Sequence, residues 1–225
     1  MTKKSQIDHK KISALSEELT DFVHKIQGLY LDSMVGYGFI INNIISSQKQ
    51  LKELLKDSPD VTSDEFLDKL IFNHSNLHGR EFAASGIHFV KNGEVKKRNK
   101  EGGENHKFIA NMCVVMLYAY WEHYLRGKLE KAYHLPKGGL QDAFWGNLNW
   151  LRQDILHNKG KCKNSKKAKI LCWFKVGQEI KLDQDKMRTI FLEALRYRNK
   201  ISSDSSPEIY SKIPYIERKQ GQKDF

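Results

Sequence analysis

The stretch FIANMCVVMLYAYWEHYLRGKLEKAY, residues 108–133, carries the strongest helical pattern in the chain. Apolar and aromatic side chains fall on most of its faces when successive residues are placed about 100° apart around a helix. A helix that is apolar nearly all round is either the buried centre of a helical bundle or part of a subunit interface. The stretch therefore predicts an all-α fold arranged around this helix.

Two further helices are predicted on the C-terminal side of this stretch. The turn signal LPKGG at 135–139 precedes a helix over 141–158, with Asp142 in its first turn, where a negative charge suits the helix dipole. A last amphipathic helix follows a segment, 170–182, whose pattern allows one small β-hairpin. Residues 201–225 are predicted to form a polar tail. The predicted core positions of the two helices are Phe144, Leu148, Leu151, Ile155, Met187, Ile190, Phe191, Ala194 and Leu195.

The N-terminal third predicts two amphipathic helices that are separated by a kink or break at Gly36-Tyr37-Gly38. A capping box, with Thr62 as the cap and Glu65 three residues later, predicts the start of a short third helix. Residues 73–105 have no sustained period, and we expect a loop or insertion there, with a short strand near 87–90 as an option.

The composition suits a single helical domain over residues 1–200. With 225 residues, of which 40% are apolar, the chain can bury one core, and we expect a bundle of four to six helices. The net charge of +11 favours an acidic partner such as nucleic acid, an anionic membrane surface or an acidic protein.

The three cysteines form no CxxC pair, which argues against a disulfide framework and a zinc cage. Cys113 and Cys172 lie in apolar runs and are predicted to be core residues. The first residues show no signal peptide, and the longest apolar run, 34–45, is too short to span a membrane. We therefore expect a cytoplasmic protein without a membrane partner.

The segment LRQDILHNKG, residues 151–160, is the part of the chain most suggestive of chemistry. Arg152 and His157 are five residues apart, which separates them by about 140° around a helix. Both can flank the polar face that carries Asn149 and Gln153, while the apolar stripe of the same helix points into the core.

These residue types fit phosphodiester cleavage in RNA without a metal ion or other cofactor. An arginine guanidinium binds phosphate oxygens and can stabilise the charge of a pentacovalent transition state. Histidine titrates near neutral pH and can take the proton from a 2′-hydroxyl or return one to the leaving oxygen. The lysines after His157 are predicted to attract the RNA backbone, and they are Lys159, Lys161, Lys163, Lys166, Lys167 and Lys169.

A plainer interpretation of the same pair is an exposed helix face on which Arg152 forms a weak surface ion pair. The chain has nine histidines, so about one Arg–His pair at such a spacing is expected by chance. The helical setting, the opposite core stripe, the polar Gln153 and the lysines that follow favour the catalytic interpretation.

The Arg-x4-His element resembles the signature of the HEPN superfamily, in which a polar residue, here Gln153, follows the arginine. The preceding segment LYAYWEHYLRGKLEKA, residues 117–132, is similar to the aromatic–Trp–Glu helix of several prokaryotic HEPN-like branches. The resemblance covers about residues 105–200, whereas the first hundred residues match only as helical support. Some branches carry a tyrosine two residues after the histidine. Lys159 occupies that position here, which argues against a mechanism that uses the tyrosine.

The resemblance implies a helical protein that dimerises and brings two motif helices into one composite cleft. Many HEPN proteins are metal-independent endoribonucleases of toxin–antitoxin, abortive-infection or other defence systems. It thus implies RNA as substrate, a second copy of the chain as partner, and an antitoxin protein as a further partner. Arg152 and His157 of both chains would form the site, with Gln153 orienting His157 or the phosphate. Other HEPN domains have lost activity and bind nucleotide, RNA or a partner protein, and this is the alternative.

Asn149, Asn158 and Glu122 are candidates for supporting roles. Glu122 is interpreted either as a carboxylate paired with Arg126, four residues on, or as a group that lies near the motif helix. The aromatic residues around it are interpreted as core or interface residues rather than as a base-stacking platform, and they are Tyr118, Tyr120, Trp121 and Tyr124.

Four histidines outside the motif are candidates for metal ligands. His74 and His78 have a helical ligand spacing, but HSNLHG lacks the glutamate of a metalloprotease motif. His88 and His106 add no recognised spacing, so no metal site is predicted. A DNA-binding regulator is a weaker alternative, because the chain shows no helix-turn-helix pattern.

Overall fold

The computed structural model describes residues 7–71 and 90–202. Within them the predicted all-α fold is confirmed. A π-helical turn, Trp121–Leu125, continues one helix directly into the next, and a short 3-10 turn, Ser165–Lys167, follows the motif helix. No helix in the described ranges is long and apolar enough to cross a membrane. The α-helices are α1 (His9–Leu54), α2 (Pro59–Thr62), α3 (Asp64–Lys69), α4 (Asn92–Asn99), α5 (Glu104–Tyr120), α6 (Arg126–Ala132), α7 (Ala143–His157) and α8 (Gln184–Ser202).

The described chain divides into two compact units. Unit 1 contains residues 7–24, 116–179 and 188–202, whereas unit 2 contains the remaining described residues. Helices α1, α5 and α8 contribute residues to both units. The motif segment lies entirely in unit 1. That the whole of residues 1–200 acts as one domain stays a prediction.

Aromatic side chains form the centre of unit 1. The indole rings of Trp121 and Trp145 stack with their centroids 4.7 Å apart, and the ring of Tyr197 meets Trp121 edge-on at 5.1 Å. Phe22 of α1 stacks on Tyr120 of α5 at 3.9 Å. Such ring pairs stabilise a core by about 0.5–1.5 kcal/mol beyond the burial of their surface. Within this unit they pack α1 against α5, and the π turn against α7 and α8.

The predicted break at Gly36-Tyr37-Gly38 is wrong, because α1 continues through it. A glycine inside a helix costs about 1 kcal/mol relative to alanine. Apolar contacts on both sides of the segment outweigh that cost, since Tyr30 before it and Ile44 after it are buried. Burial of one large apolar side chain stabilises a fold by about 1.5–3 kcal/mol.

The predicted capping box is displaced by one residue. Ser63 caps α3, and its hydroxyl oxygen accepts a hydrogen bond from the N–H of Phe66 at 3.2 Å. Ser63 has the extended backbone that a cap needs, whereas Thr62, the predicted cap, is the last residue of α2.

Part of the predicted loop over 73–105 is helical, because it contains α4. Val95 of α4 is buried against Ile44, which gives the polar segment an anchor that its own sequence does not reveal. Residues 72–89 lie outside the described residues, and with them most of the optional strand near 87–90. Residues 203–225 of the predicted tail also lie outside, while 201 and 202 belong to α8.

The β-hairpin over 170–182 does not form, and the described residues contain no strand. Instead, Lys161 and Glu179 form an isolated antiparallel bridge. Beside it, the N–H of Cys162 donates to the carbonyl oxygen of Gln178 at 2.8 Å, and the N–H of Gly177 donates to that of Cys162 at 2.8 Å. The loop after α7 is thus hydrogen-bonded to Gly177 and Gln178, the centre of the segment predicted to form the hairpin. Cys172 is exposed rather than in the core, while Cys113 and Cys162 are buried.

Candidate active site

Helix α7 presents the motif because its two ends and its inner face are fixed. Asp142 caps the N-terminus, and its Oδ1 accepts a hydrogen bond from the N–H of Phe144 at 2.8 Å. Phe144, Leu148 and Leu151 are buried as predicted, and Ile155 is partly buried. This stripe directs the opposite, polar face of α7 outward.

His157 is the last residue of α7, and its side chain is exposed. Among the described residues it has no hydrogen-bond or ion-pair partner. The neighbouring Leu156 is 47% exposed, which leaves an apolar side chain beside the imidazole. An imidazole in this position is accessible to a substrate.

Arg152 is partly buried, and its guanidinium carbon lies 5.4 Å from the ring centroid of Tyr118. A cation–π contact of this kind positions a guanidinium without neutralising its charge. Within the described part of the chain no carboxylate pairs with Arg152, and its buried Nε has no hydrogen-bond acceptor. The guanidinium therefore keeps its positive charge for an anionic ligand.

Tyr118 is held in place by a carboxylate network on the preceding helix. Its hydroxyl donates to Oε2 of Glu122 at 3.2 Å, and Arg126 donates to the same oxygen at 3.2 Å. Burial raises the pKa of Tyr118 to about 12, and the charge of Glu122 acts in the same direction. The hydroxyl thus stays protonated as a donor. Glu122 pairs with Arg126, as one interpretation predicted, and it also supports the ring on which Arg152 rests.

The other predicted supporting residues lie on different faces of α7. Nε2 of Gln153 donates to Oδ1 of Asn149 at 3.5 Å, and both side chains share the outward face with Arg152. Asn158, the C-cap of α7, instead donates to Oδ1 of Asp154 at 2.8 Å. Asn158 thus contributes to the loop that follows the helix rather than to the face around Arg152.

Asp154 is fully buried, and its carboxylate binds backbone N–H groups at the start of the lysine-rich segment. Its carboxylate accepts hydrogen bonds from the N–H groups of Lys163, Asn164 and Ser165, each at 2.8 Å, and from the hydroxyl of Ser165 at 2.7 Å. Burial alone would raise the pKa of Asp154. The hydrogen bonds outweigh burial and lower that pKa to about 2.

Asn147 binds the end of the same segment in the same way. Its side chain is buried, and Oδ1 accepts hydrogen bonds from the N–H groups of Lys169 at 2.8 Å and Ile170 at 2.9 Å. Asn147 and Asp154 are seven residues apart, two helical turns, so they lie on one stripe beside the core. Together they fix the segment 163–171 through its main chain.

The lysine side chains of this segment are left exposed by that arrangement. Among the described residues none of them pairs with a carboxylate. We call residues 159–169 the basic segment, which follows His157 closely in the chain. A cluster of unpaired cations held on a fixed backbone attracts a polyanion. The exposed members are Lys159, Lys161, Lys163, Lys166, Lys167 and Lys169.

Asp154, Asn147 and Tyr118 were not recognised from the sequence as contributors to the site. The spacing of Asn147 and Asp154 does indicate such a role. Polar residues two turns apart at the edge of an apolar stripe need hydrogen-bond partners once they are buried. Nothing in the local sequence shows that these partners are backbone groups up to 24 residues further on.

Of the four histidines considered as metal ligands, the structure describes only His106. His106 stacks on Tyr37 with ring centroids 5.3 Å apart, while His74, His78 and His88 lie outside the described residues. Within residues 7–71 and 90–202 no group of three or more His, Cys, Asp or Glu side chains could hold a metal ion.

In comparisons with known proteins, no family model, no curated protein and no solved structure matches the chain. The resemblance of the Arg152–His157 element to HEPN proteins therefore stays a prediction.

Proposed function

We propose that the chain is a metal-independent endoribonuclease of the HEPN type, acting in a defence, abortive-infection or toxin–antitoxin setting. One observation carries the proposal. Arg152 and His157 are both without an acidic partner in the described structure, on the outward side of one helix, and the unpaired cations of the basic segment follow directly. A surface ion pair, the plainer interpretation of Arg152, has no support in the described contacts.

The proposed reaction is an internal transfer within RNA. The imidazole of His157 accepts the proton of a 2′-hydroxyl, and the 2′-oxygen attacks the adjacent phosphorus. The bond from phosphorus to the 5′-oxygen breaks, and that oxygen receives a proton from an imidazolium. Arg152 stabilises the additional negative charge on the phosphate oxygens as it develops. The products are a 2′,3′-cyclic phosphate and a 5′-hydroxyl.

A second copy of the chain is part of the proposal. If two α7 helices met across a two-fold axis, His157 of one chain would serve as the base and His157 of the other chain as the acid. The exposed Leu156 beside His157 supports this arrangement, because an apolar side chain on a polar face is suited to a subunit contact. RNA and a second copy are thus the proposed partners, and an antitoxin protein is a further one.

Cleavage of total RNA in the presence of EDTA tests the proposal. The purified chain is compared with Arg152→Ala and His157→Ala, and the 3′ ends of the products are identified. We expect cyclic phosphate ends from the unaltered chain and a loss of at least about 100-fold in rate for each variant, the size of an acid–base or oxyanion contribution.

Arg188→Ala and His123→Ala are matched controls, since both side chains are exposed and lie outside the motif. They should cleave at the rate of the unaltered chain. Equal cleavage by all five proteins would contradict the assignment of the site. RNA binding without cleavage by any of them would favour the non-catalytic binding module.

A further inference from the structure

Helix α1 carries a seam of exposed positions over residues 31–49, in the part of the helix that belongs to unit 2. The positions follow one another at alternating steps of four and three residues, which is the repeat of a coiled-coil seam. All of them are exposed, and Val35 is 72% exposed although it is apolar. We call these residues the α1 seam, and they are Leu31, Val35, Gly38, Asn42, Ile45 and Lys49.

The α1 seam is not the side by which the helix packs within unit 2. Tyr30, Ile44 and Gln48 are buried and share one side of α1. The seam positions lie about 110° further around the helix, and the described residues leave them uncovered. Single exposed apolar side chains are ordinary, whereas a run of them along one face marks an interaction surface. The spacing of this run fits a second helix as the partner.

The charges around the α1 seam indicate which partner it fits. Residues 33–48 contain no charged side chain, although the chain as a whole carries a net charge of +11. Asp32 and Lys49 lie at the two ends of this uncharged stretch, and neither is paired among the described residues. A basic surface repels a second copy of the same chain, whereas an uncharged surface with opposite charges at its ends complements itself. An acidic partner would instead be drawn to the lysine-rich surfaces.

We infer that the α1 seam binds the α1 seam of a second copy in antiparallel orientation. A two-fold axis near Ile40 places Val35 of each copy opposite Ile45 of the other. Phe39, which is 62% exposed beside the seam, lies close to its own counterpart at this axis. The pairing buries apolar surface that a single chain leaves in water.

The two ends of the pair decide its orientation. In the antiparallel arrangement Lys49 of each copy lies beside Asp32 of the other, so opposite charges meet at both ends. A parallel arrangement would place Lys49 against Lys49, and a contact between like charges is unfavourable. Asn42 lies opposite Gly38, where the missing side chain leaves room for the amide. A single polar position in an apolar seam fixes the register of two helices.

The length of the α1 seam sets the strength of the contact. From residue 31 to residue 49 the helix rises by about 27 Å, and a helix with its side chains is about 10 Å wide. The strip covers roughly 270 Å² of each copy, less than the approximately 800 Å² per partner of a standard interface. We therefore expect a weak dimer that forms as the concentration rises. The seam lies in unit 2 and the Arg152–His157 motif in unit 1, so the inference does not rest on the proposed function.

Leu31→Cys combined with Lys49→Cys tests the pairing by cross-linking. The two positions are about 27 Å apart along one helix, far beyond the reach of a disulfide, so a bond between them joins two chains. Cys172→Ser is added to every variant, because Cys172 is the exposed native cysteine. Leu29→Cys combined with Ser47→Cys is the matched control, since both positions are exposed and have the same spacing on another side of α1.

We expect the seam variant to form disulfide-linked dimers at least about tenfold faster than the control, because pairing raises the local concentration of the two thiols. Peptide mapping should find residue 31 of one chain bonded to residue 49 of the other. Bonds that join 31 to 31 and 49 to 49 would indicate a parallel pair and would contradict the inference.

Reversal of the end charges provides the second measurement. Asp32→Lys should raise the dissociation constant of the dimer at least about fivefold, because a repulsion replaces an attraction at both ends. Adding Lys49→Asp restores opposite charges with their signs exchanged, and the dissociation constant should return close to that of the unaltered chain. Sedimentation equilibrium measures all three proteins. Damage to the fold by Asp32→Lys would not be repaired by the second reversal.

The inference is overturned if the chain is a monomer at every concentration, if the seam and control variants cross-link equally, or if the second charge reversal restores nothing. Cross-linking between 31 and 49 without RNA cleavage would contradict the proposed function alone. RNA cleavage without that cross-link would contradict the inference alone.

Discussion

Asp154 lies between Arg152 and His157 in the sequence, but its role is to hold the backbone of the basic segment. Its buried carboxylate replaces solvent for three consecutive backbone N–H groups, so the basic segment has a defined path beside α7. A buried charge is tolerated only where hydrogen bonds compensate its desolvation. Here the backbone N–H groups and the hydroxyl of Ser165 supply those hydrogen bonds, and they lower the pKa of Asp154.

Asp154→Asn should lower the free energy of unfolding by about 2–4 kcal/mol at neutral pH, because one amide NH₂ would face backbone donors and the charge would be lost. Chemical denaturation measures the change. Asp57→Asn, at an exposed position of unit 2, should change stability by less than about 0.5 kcal/mol. An equally small effect at Asp154 would contradict the anchoring role.

The stability difference should also depend on pH. The folded-state pKa of about 2 lies below the ordinary value of 3.8, so ionised Asp154 stabilises the folded chain above about pH 4. That contribution, about 2 kcal/mol, is lost as the pH falls from 4 through 2. The difference between the unaltered chain and Asp154→Asn should shrink over this window. A difference that is constant from pH 2 to 7 would contradict the pKa assignment.

At the scale of the elements, two helical runs differ in opposite ways from what their own residues suggest. The 46-residue α1 stays α-helical across three glycines. The 108–133 stretch instead changes to a π-helical turn at Trp121–Leu125, although it contains no proline. A π turn inserts one extra residue, which rotates the faces before and after it by about 100° relative to each other. This rotation accompanies the stacking of Trp121 on Trp145 and the pairing of Glu122 with Arg126.

Gly38→Ala should stabilise the chain by about 0.5–1 kcal/mol, because the position is helical and exposed and a Cβ there meets no atom within 4 Å. Gly177→Ala makes the same chemical change at a φ of +80° and should destabilise by about 1–2 kcal/mol. Denaturant titration of both variants measures the two signs. If Gly38→Ala destabilised the chain, the uninterrupted course of α1 would be in doubt.

For the whole molecule, the net charge of +11 predicts salt-sensitive binding to nucleic acid, but the basic segment gives that charge a location. Lysines held on an anchored backbone contact phosphates in a fixed register, whereas scattered lysines add only a diffuse attraction. The two contributions differ in how binding responds to the loss of particular residues.

Lys166→Gln combined with Lys167→Gln should reduce the slope of log K against log salt by about 1.4 for single-stranded RNA, about 0.7 per lost phosphate contact. Lys49→Gln combined with Lys56→Gln removes the same charge from exposed positions in unit 2 and should change the slope little. Filter binding from low to moderate salt measures both. Equal losses would mean that net charge, not the basic segment, governs RNA binding.

Local periodicity determined which side of α7 is buried and predicted most of the helices, although not α4. Phe144, Leu148 and Leu151 repeat at helical spacing, and that spacing alone predicts an inward stripe and an outward motif. The same pattern predicted the helix over 108–133 and the last helix, because apolar burial at a fixed angular period is a property of neighbouring residues.

Only the tertiary structure decided the partners of the polar groups. The carboxylate of Asp154, the amide of Asn147 and the ring of Tyr118 each meet groups that are distant in sequence, and no local pattern specifies such a meeting. The course of α1 and the absence of the hairpin have the same origin, since packing against other segments outweighed weak local preferences. The sequence by itself thus determined most of the helices and the inward stripe of α7, while long-range contacts decided the course of α1 and how the site is held.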